Sequence, residues 1–175
     1  MDAVRLIGQS RAALAQSRAA LDILVEAWQA QALAQAIGGQ LAVSGPPELR
    51  GEARGLSEVG GRGCGVFEGP ALRAGGMGFT GGQPPDILPR AAQLSEVADI
   101  RGALTGLGGL LGEVGIALVG VACATDEEGL YWQCIEGIDA ADESSDRVRG
   151  MLRRLTVREQ DRMRSAARDS ATEPS

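Results

Sequence analysis

Apolar residues recur at helical spacing through much of the chain, and the clearest pattern lies in residues 97–121. Two rows with a period of seven run three positions apart, one made of Val97, Leu104, Leu111 and Leu118 and the other of Ile100, Leu107, Val114 and Val121. Such a seam is typical of a helix packed against other helices along its length, and we place its start near Arg90. The flanking positions are rich in glycine, which costs a helix about 1 kcal/mol relative to alanine. We therefore expect neighbouring backbones to approach this helix closely, at the centre of the fold.

The residues before this seam predict one long and one short helix. An apolar stripe runs through residues 2–43, and the positions between its members are mostly alanine, glutamine and arginine, which indicates a single long helix. The sequence Gly45-Pro46-Pro47 ends it. Pro47 then suits the first turn of a shorter helix over residues 47–59.

The residues after the seam predict a third long helix. Residues 125–128 form a capping box, in which the Thr125 hydroxyl oxygen accepts the amide of Glu128. The helix repeats the two-row pattern, with Tyr131, Ile138, Ser145 and Leu152 in one row and Cys134, Ala141, Val148 and Leu155 in the other. The polar run at 142–146 is a candidate break, and packing should end after Leu155. With no alternating strand pattern, the fold class is all-α: a bundle of three long helices plus one short helix.

Residues 60–89 differ from the rest of the chain. They hold ten of the 26 glycines and four of the seven prolines, with no apolar period. Ordering so many glycines costs conformational entropy that few apolar side chains offset, so we expect a flexible Gly/Pro-rich loop. A connector is favoured over a functional lid, although a loop of this length is uncommon within one domain. The predicted organisation is one helical-bundle domain over residues 1–168, which contains this loop, and a disordered tail at 169–175.

Composition restricts the chemistry that this chain performs. All 17 basic residues are arginine, and lysine, histidine and asparagine are absent. Without histidine there is no Ser-His or Cys-His nucleophile pair and no HExxH zinc site, and without lysine there is no Walker A loop or Schiff-base chemistry. The net charge of −6 argues against nucleic-acid binding by the whole protein. The N-terminal residues lack a secretory signal pattern, which predicts a cytoplasmic protein.

Charge divides the C-terminal helix into two halves. Residues 126–146 contain eight carboxylates and no arginine, whereas residues 147–168 contain eight arginines. Arg154, Arg158 and Arg162 form a stripe at four-residue spacing, which is a candidate binding surface for a partner, either nucleic acid or an acidic protein. The competing interpretation is a solvated helix whose charges oppose its dipole, and the absence of interleaved aromatic residues favours it.

Residues 103–124 carry one formal charge, Glu113, and are long enough to span a bilayer. The glycines, the heptad seam and the three acidic residues that follow favour a core helix, so we expect no membrane span. Glu113 is a candidate ligand-binding or general-acid group if it is buried, or else the partner of Arg11 or Arg18 in an ion pair; the ion pair is favoured. Glu136, Asp139, Asp142 and Glu143 share helical faces, but without histidine a di-metal site is a poor match. An all-carboxylate Mg²⁺ or Ca²⁺ site is a weak alternative, and we predict no metal and no cofactor.

The three cysteines offer one candidate reactive thiol. Cys64 lies in the sequence GGRGCG beside Arg62, which would lower its pKa. No resolving cysteine or base is close in sequence, so a non-reactive loop cysteine is favoured. Cys123 and Cys134 lie on apolar helical faces, where a buried, reduced thiol is expected.

Three runs resemble an uncharacterised family of small actinobacterial proteins: EAWQAQALAQAIG (26–38), GLLGEVGIALVGVACATDEEGLYWQCIE (109–136) and GIDAADES (137–144). The resemblance covers roughly residues 1–60 and 90–160 and implies a cytosolic bacterial protein, without assigning any catalytic or binding residue. The leading hypothesis is a non-enzymatic helical adaptor or scaffold that contacts a protein partner or a second copy of itself. The alternatives are a nucleic-acid-associated regulator that uses the arginine stripe, and a ligand-binding or enzymatic bundle that uses Glu113.

Overall fold

Five α-helices and two short 3-10 helices make up the residues that the computed structural model describes, which are 1–67 and 89–171. The α-helices are α1 (Ala3–Gln16), α2 (Ala20–Ser44), α3 (Arg50–Phe67), α4 (Ile100–Ala124) and α5 (Glu128–Ala171). The 3-10 helices are Pro47–Leu49 and Arg90–Gln93. Within these residues there is no strand, only an isolated bridge between Asp2 and Glu96. The all-α prediction is therefore confirmed.

The seam of α4 is the centre of the hydrophobic core. Six of its eight members are buried, namely Leu104, Leu107, Leu111, Val114, Leu118 and Val121. Val97 and Ile100 are only partly buried, and Val97 precedes the helix. The predicted start near Arg90 is wrong by about ten residues, because α4 begins at Ile100, where the Asp99 side chain accepts a hydrogen bond from the Gly102 amide. An N-terminal cap of this kind fixes the first turn, and the segment before it is a separate 3-10 helix.

The predicted helix over residues 2–43 is two helices. At Ser17 the backbone becomes extended, and both its amide and its hydroxyl bond the Ala13 carbonyl, which closes the end of α1. Ala19 is also extended, and α2 starts at Ala20. The break lets α1 turn its buried face, which includes Leu6 and Ile7, onto α4. Alanine, serine and arginine at the break do not signal a stop, so periodicity alone missed it.

Glycine marks the contact between α2 and α3 rather than a loop. The α3 helix runs to Phe67, so the prediction of a helix ending at 59 and a loop starting at 60 is wrong for residues 60–67. A Cβ on Gly60 would lie 2.6 Å from the backbone nitrogen of Gln35, and one on Gly38 would lie 2.6 Å from that of Ser57. The two backbones therefore meet at positions that only glycine can occupy. The remainder of the predicted loop, residues 68–88, lies outside the described residues.

The α5 helix is continuous over 44 residues. The run at 142–146 does not break it, because Ser144 and Ser145 are both buried in helix contacts. The row of Cys134, Ala141, Val148 and Leu155 is buried, and residues 159–168 are exposed, so the predicted end of packing is confirmed. The first turn differs from the prediction, since the Thr125 hydroxyl accepts the amide of Glu127 and Tyr131 is exposed. The helix also continues to Ala171, into the segment predicted to be a disordered tail, and residues 172–175 are outside the described part.

Candidate functional site

Glu113 forms an ion pair on the surface between α1 and α4. The Arg11 Nε donates to the two Glu113 carboxylate oxygens at 3.1 and 3.0 Å, and its Nη2 contacts Oε1 as well. Hydrogen bonding to Glu113, with the attraction of its charge, raises the pKa of Arg11. Both side chains are more than one third exposed, so solvent screens the pair. Arg18, the other proposed partner, instead donates to the backbone carbonyls of Ala15 and Ser17.

Two of the three arginines in the predicted stripe bind acidic residues, one in the first turn of α3 and one in the 3-10 helix just before it. Arg154 Nη2 lies 3.2 Å from Glu52 Oε1, and Arg158 Nε lies 3.1 Å from Glu48 Oε1. Arg147 reaches the second Glu52 oxygen at 3.3 Å. These pairs tie α5 to α3 and neutralise two of the cations that the nucleic-acid hypothesis requires. Arg162 has no ion-pair partner among residues 1–67 and 89–171.

An open groove of about 1030 Å³ lies between the start of α3 and the C-terminal half of α5. Glu48 and Glu52 form one wall, and the arginine stripe forms the other, with Val157 between them. Cations and carboxylates alternate along it, so its field is mixed rather than uniformly positive. A polyanion gains little from such a surface.

Cys64 lies on the last turns of α3 and is partly buried, so it is not a loop cysteine as predicted. The Arg62 guanidinium, proposed to activate the thiol, instead pairs with Glu143 on α5 at 2.9 Å. Cys134 is buried as expected, and burial raises the pKa of its thiol. Cys123 is exposed, which contradicts the expectation that it is buried.

Arg90 forms a polar clamp that the sequence did not single out. Its Nη2 lies 2.8 Å from Glu26 Oε1, and its backbone amide donates to Gln29 Oε1 at 2.8 Å. Glu26 and Gln29 are buried in the side of α2, and the neighbouring Ser10 of α1 is fully buried. This partly buried pair fixes the 3-10 helix against α1 and α2. Glutamate and glutamine within an alanine-rich helix gave no signal of it.

Three buried polar atoms have no partner in the described part of the chain: Trp28 Nε1, Gln31 Nε2 and Gln133 Oε1. The other amide atoms of the two glutamines are bonded, since Gln31 Oε1 accepts from Ser144 and Gln133 Nε2 donates to the Val66 carbonyl. Each glutamine therefore joins α5 to another helix. Over the same described ranges, no three side chains of Cys, Asp or Glu lie close enough to hold a metal ion.

The side of α4 opposite the seam is an apolar surface that the analysis of heptad rows missed. We define the outer face as its exposed positions between Thr105 and Cys123, which are Thr105, Gly109, Gly112, Ile116, Val119, Gly120 and Cys123. Ile116 is 76% exposed and Val119 is 47% exposed. None of the seven residues is charged. The result is an uncharged strip that is unusual on a chain with 40 charged residues.

Two of the three outer-face glycines, Gly112 and Gly120, have no packing role within residues 1–67 and 89–171, whereas a Cβ on Gly109 would lie 3.9 Å from the Arg11 guanidinium carbon. A Cβ on Gly112 or Gly120 would meet nothing within 4 Å. By contrast, Gly106 and Gly108 lie against Ile7 and Val148, where a Cβ would be 3.3 and 3.4 Å away. Close contact between helices therefore explains only some of the α4 glycines. At Gly112 and Gly120, glycine lowers helix stability by about 1 kcal/mol each relative to alanine, and no neighbouring helix in the described part of the chain explains this cost.

Helix α4 is also the one described helix that is long and apolar enough to cross a membrane. Fewer than half of the residues in its most apolar stretch are buried. By length and composition the core helix of a soluble protein passes the same test, so this property is weak evidence for a span. The buried seam agrees with the core-helix interpretation, and the absence of a membrane span remains a prediction.

These observations define an all-helical structure with ion pairs between its helices and an uncovered apolar face on α4. The chain belongs to a family of unknown function, DUF6099, whose model matches residues 1–154. The resemblance seen in the sequence is thereby confirmed at the level of the family. No curated protein and no solved structure matches the chain.

Proposed function

We propose that this protein is a non-enzymatic helical adaptor or scaffold, located in the cytoplasm, that acts by contacting other protein chains. The observation that carries the proposal is the outer face of α4, with Ile116 and Val119 exposed on a strip without charge. Exposed apolar surface of this kind costs solvation free energy that covering by a protein partner recovers.

The enzymatic alternative has less support. Glu113 is held by Arg11 at a partly exposed position, so it lacks the desolvated setting that tunes a carboxyl group for acid–base chemistry. The nucleic-acid alternative depends on Arg154, Arg158 and Arg162. Two of these three are engaged by Glu52 and Glu48, which leaves little positive charge for phosphate contacts.

The proposal is tested by quantitative affinity capture from cells that express the protein, with variants that differ at one exposed position. Ile116→Glu places a charge on the outer face, and Val43→Glu is its matched control, because Val43 is 80% exposed on α2. Proteins held through the outer face are recovered with the unmodified chain and with Val43→Glu, but not with Ile116→Glu. Equal recovery by all three chains contradicts a role for this face.

The nucleic-acid alternative is tested separately by titrating DNA and RNA at several salt concentrations. The alternative requires affinity that falls steeply as salt rises and that weakens in Arg162→Ala. Binding that is absent, or that is indifferent to salt, removes it.

A further inference from the structure

We propose that the outer face of α4 binds the same face of a second copy, with the two α4 helices packed antiparallel about a two-fold axis at Gly112. The inference rests on the proposed function, since it takes the outer face to be a protein contact surface, and it names the partner. Homodimers with two-fold symmetry use one self-complementary patch twice. Three properties of α4 satisfy that condition in the antiparallel orientation.

The first property is the absence of charge. Each copy carries a net charge of −6, so two copies repel unless they meet at a surface that is neutral or complementary. The outer face extends from Thr105 to Cys123, about 27 Å along the helix, without an ionised side chain. Two charges border it, Glu113 beside Gly112 and the Arg11 guanidinium against Gly109, and they are paired with each other. Apolar contact therefore forms here without desolvating an unpaired charge.

The second property is the distribution of large and small residues about Gly112. Gly112 stands at the midpoint of α4, and a Cβ there would meet no atom of the described residues within 4 Å. The larger side chains, Ile116 and Val119, lie on its C-terminal side, whereas Gly109 and Thr105 lie on its N-terminal side. In an antiparallel pair the large half of each copy therefore faces the small half of the other. In a parallel pair Ile116 meets Ile116, and the glycines meet across a gap.

The third property is charge complementarity between the two ends of the molecule. The turn after α4 exposes Asp126, Glu127 and Glu128. At the other end, Arg101 pairs with Glu159, so residues 160–171 of α5 extend about 18 Å beyond the start of α4. Arg162 is exposed on that extension with no ion-pair partner in the described ranges, whereas Arg164 pairs with Asp161 at 3.5 Å, so Arg162 is the cation that the extension offers. Antiparallel pairing brings each acidic turn towards the basic extension of the other copy, whereas parallel pairing brings like charges together.

The size of the outer face limits the strength of the dimer. A strip about 27 Å long and about 11 Å wide offers about 300 Å² per copy, well below the roughly 800 Å² per partner of a standard interface. The dimer is therefore weak and concentration-dependent, with half-dimerisation at roughly 10–100 µM. Ile116→Glu raises this concentration at least tenfold, because it introduces a charge into each half of the interface.

The orientation is tested by thiol crosslinking of the purified full-length chain at about 500 µM, well above the expected half-dimerisation. In the antiparallel pair, two Cys123 residues lie about 33 Å apart along the helix axis, since each is eleven positions from Gly112. They are too distant for a disulfide. Gly112→Cys in a Cys64→Ser, Cys123→Ser background instead places two thiols at the axis. Val43→Cys in the same background is the matched control.

The proposal expects a covalent dimer, through a disulfide or a short bis-maleimide, from Gly112→Cys and none from Val43→Cys or from the unmodified Cys123. Crosslinking through Cys123 shows a parallel pair and overturns the proposed geometry. A monomer in sedimentation equilibrium at 500 µM overturns the dimer. The dimer is also overturned if the parent chain floats with lipid vesicles and the Ile116→Glu variant does not. If the chain is monomeric but cellular partners are still lost with Ile116→Glu, the proposed function stands and only the dimer fails.

Discussion

The contact between α2 and α3 predicts that glycine-to-alanine substitutions at two positions of α3 change the free energy of unfolding in opposite directions. At Gly60, an added Cβ lies 2.6 Å from the backbone nitrogen of Gln35 and 2.9 Å from the carbonyl oxygen of Gln31. At Gly51, also on α3, it meets nothing within 4 Å. Both substitutions gain the same intrinsic helix propensity, about 1 kcal/mol. They differ only in what the new methyl group touches.

The magnitude follows from these distances. Ordinary contact begins near 3.4 Å, so α2 and α3 must part by about 0.8 Å in Gly60→Ala. The obstacles are backbone atoms, which no side-chain rotation moves away. Overpacking of this kind costs typically 1–3 kcal/mol, and contact with two backbone atoms places the cost near the upper end. Subtracting the gain of about 1 kcal/mol in helix propensity leaves Gly60→Ala about 1–2 kcal/mol less stable than the parent chain. Gly51→Ala is more stable by about 0.5–1 kcal/mol.

The assay is urea unfolding followed by circular dichroism, with thermal unfolding as a second measure. For a chain of this size 1 kcal/mol corresponds to about 2–4 °C in Tm, so the two variants separate by several degrees in opposite directions. If Gly60→Ala is stabilised as much as Gly51→Ala, the backbones of α2 and α3 are not in contact there, and the packing argument for α3 is refuted.

Three further predictions concern the core, a surface pair and a buried thiol. Leu111→Ala, at the middle of the seam, removes a fully packed side chain and lowers the free energy of unfolding by about 2–5 kcal/mol; a loss below about 1 kcal/mol in urea unfolding contradicts a buried seam. Glu113→Gln breaks an exposed pair and costs at most about 1 kcal/mol in the same assay, less at high salt, whereas a larger cost means that the carboxylate is buried. Burial raises the pKa of the Cys134 thiol in the folded protein. The stability that the protonated thiol contributes is therefore complete below the unfolded-state pKa of about 8.5 and is lost as the pH rises through the folded-state pKa. The urea midpoint therefore falls above about pH 8.5, and the fall is smaller in Cys134→Ala; an identical pH profile in the two chains refutes the assignment.

The core was predictable because its signal is periodic. The rows from Leu104 to Leu118 and from Leu107 to Val121 are buried as the spacing predicts, and the row of Cys134, Ala141, Val148 and Leu155 behaves in the same way. A buried helix face needs apolar residues at that spacing whatever its neighbours are. The Glu113 ion pair was also foreseeable, because a carboxylate that flanks an apolar seam is stabilised by pairing with an arginine on an adjacent helix.

The helix boundaries were not predictable because the same residue types serve two purposes. Gly60 and Gly63 resemble a loop signal, yet they stand where α3 touches the backbone of Gln35 and the side chain of Gln31. At the break, Ser17 bonds the Ala13 carbonyl through its amide and its hydroxyl, and a serine within a continuous helix makes the same bonds, so the residue type does not mark the end of α1. Propensity is a weak prior that such contacts override.

The outer face escaped the sequence analysis for a different reason. Amphipathic periodicity identifies the core only when the opposite side of a helix is polar, and α4 has almost no polar residues on either side. The rows therefore located the buried side but gave no indication that Ile116 and Val119 face solvent. The Arg90 clamp was missed because Glu26 and Gln29 lie among alanines, where their burial depends on the 3-10 helix placed against them.

The central claim is that α4 buries one side within its own bundle and offers the other to a second copy. Sedimentation equilibrium of the full-length chain in detergent-free buffer, from about 5 to 500 µM, tests it most directly. We expect a soluble monomer–dimer equilibrium for the parent chain and for Val43→Glu, and for Ile116→Glu the same equilibrium moved to at least tenfold higher concentration. A parent chain that is monomeric at every concentration, or that stays in solution only with detergent, contradicts it.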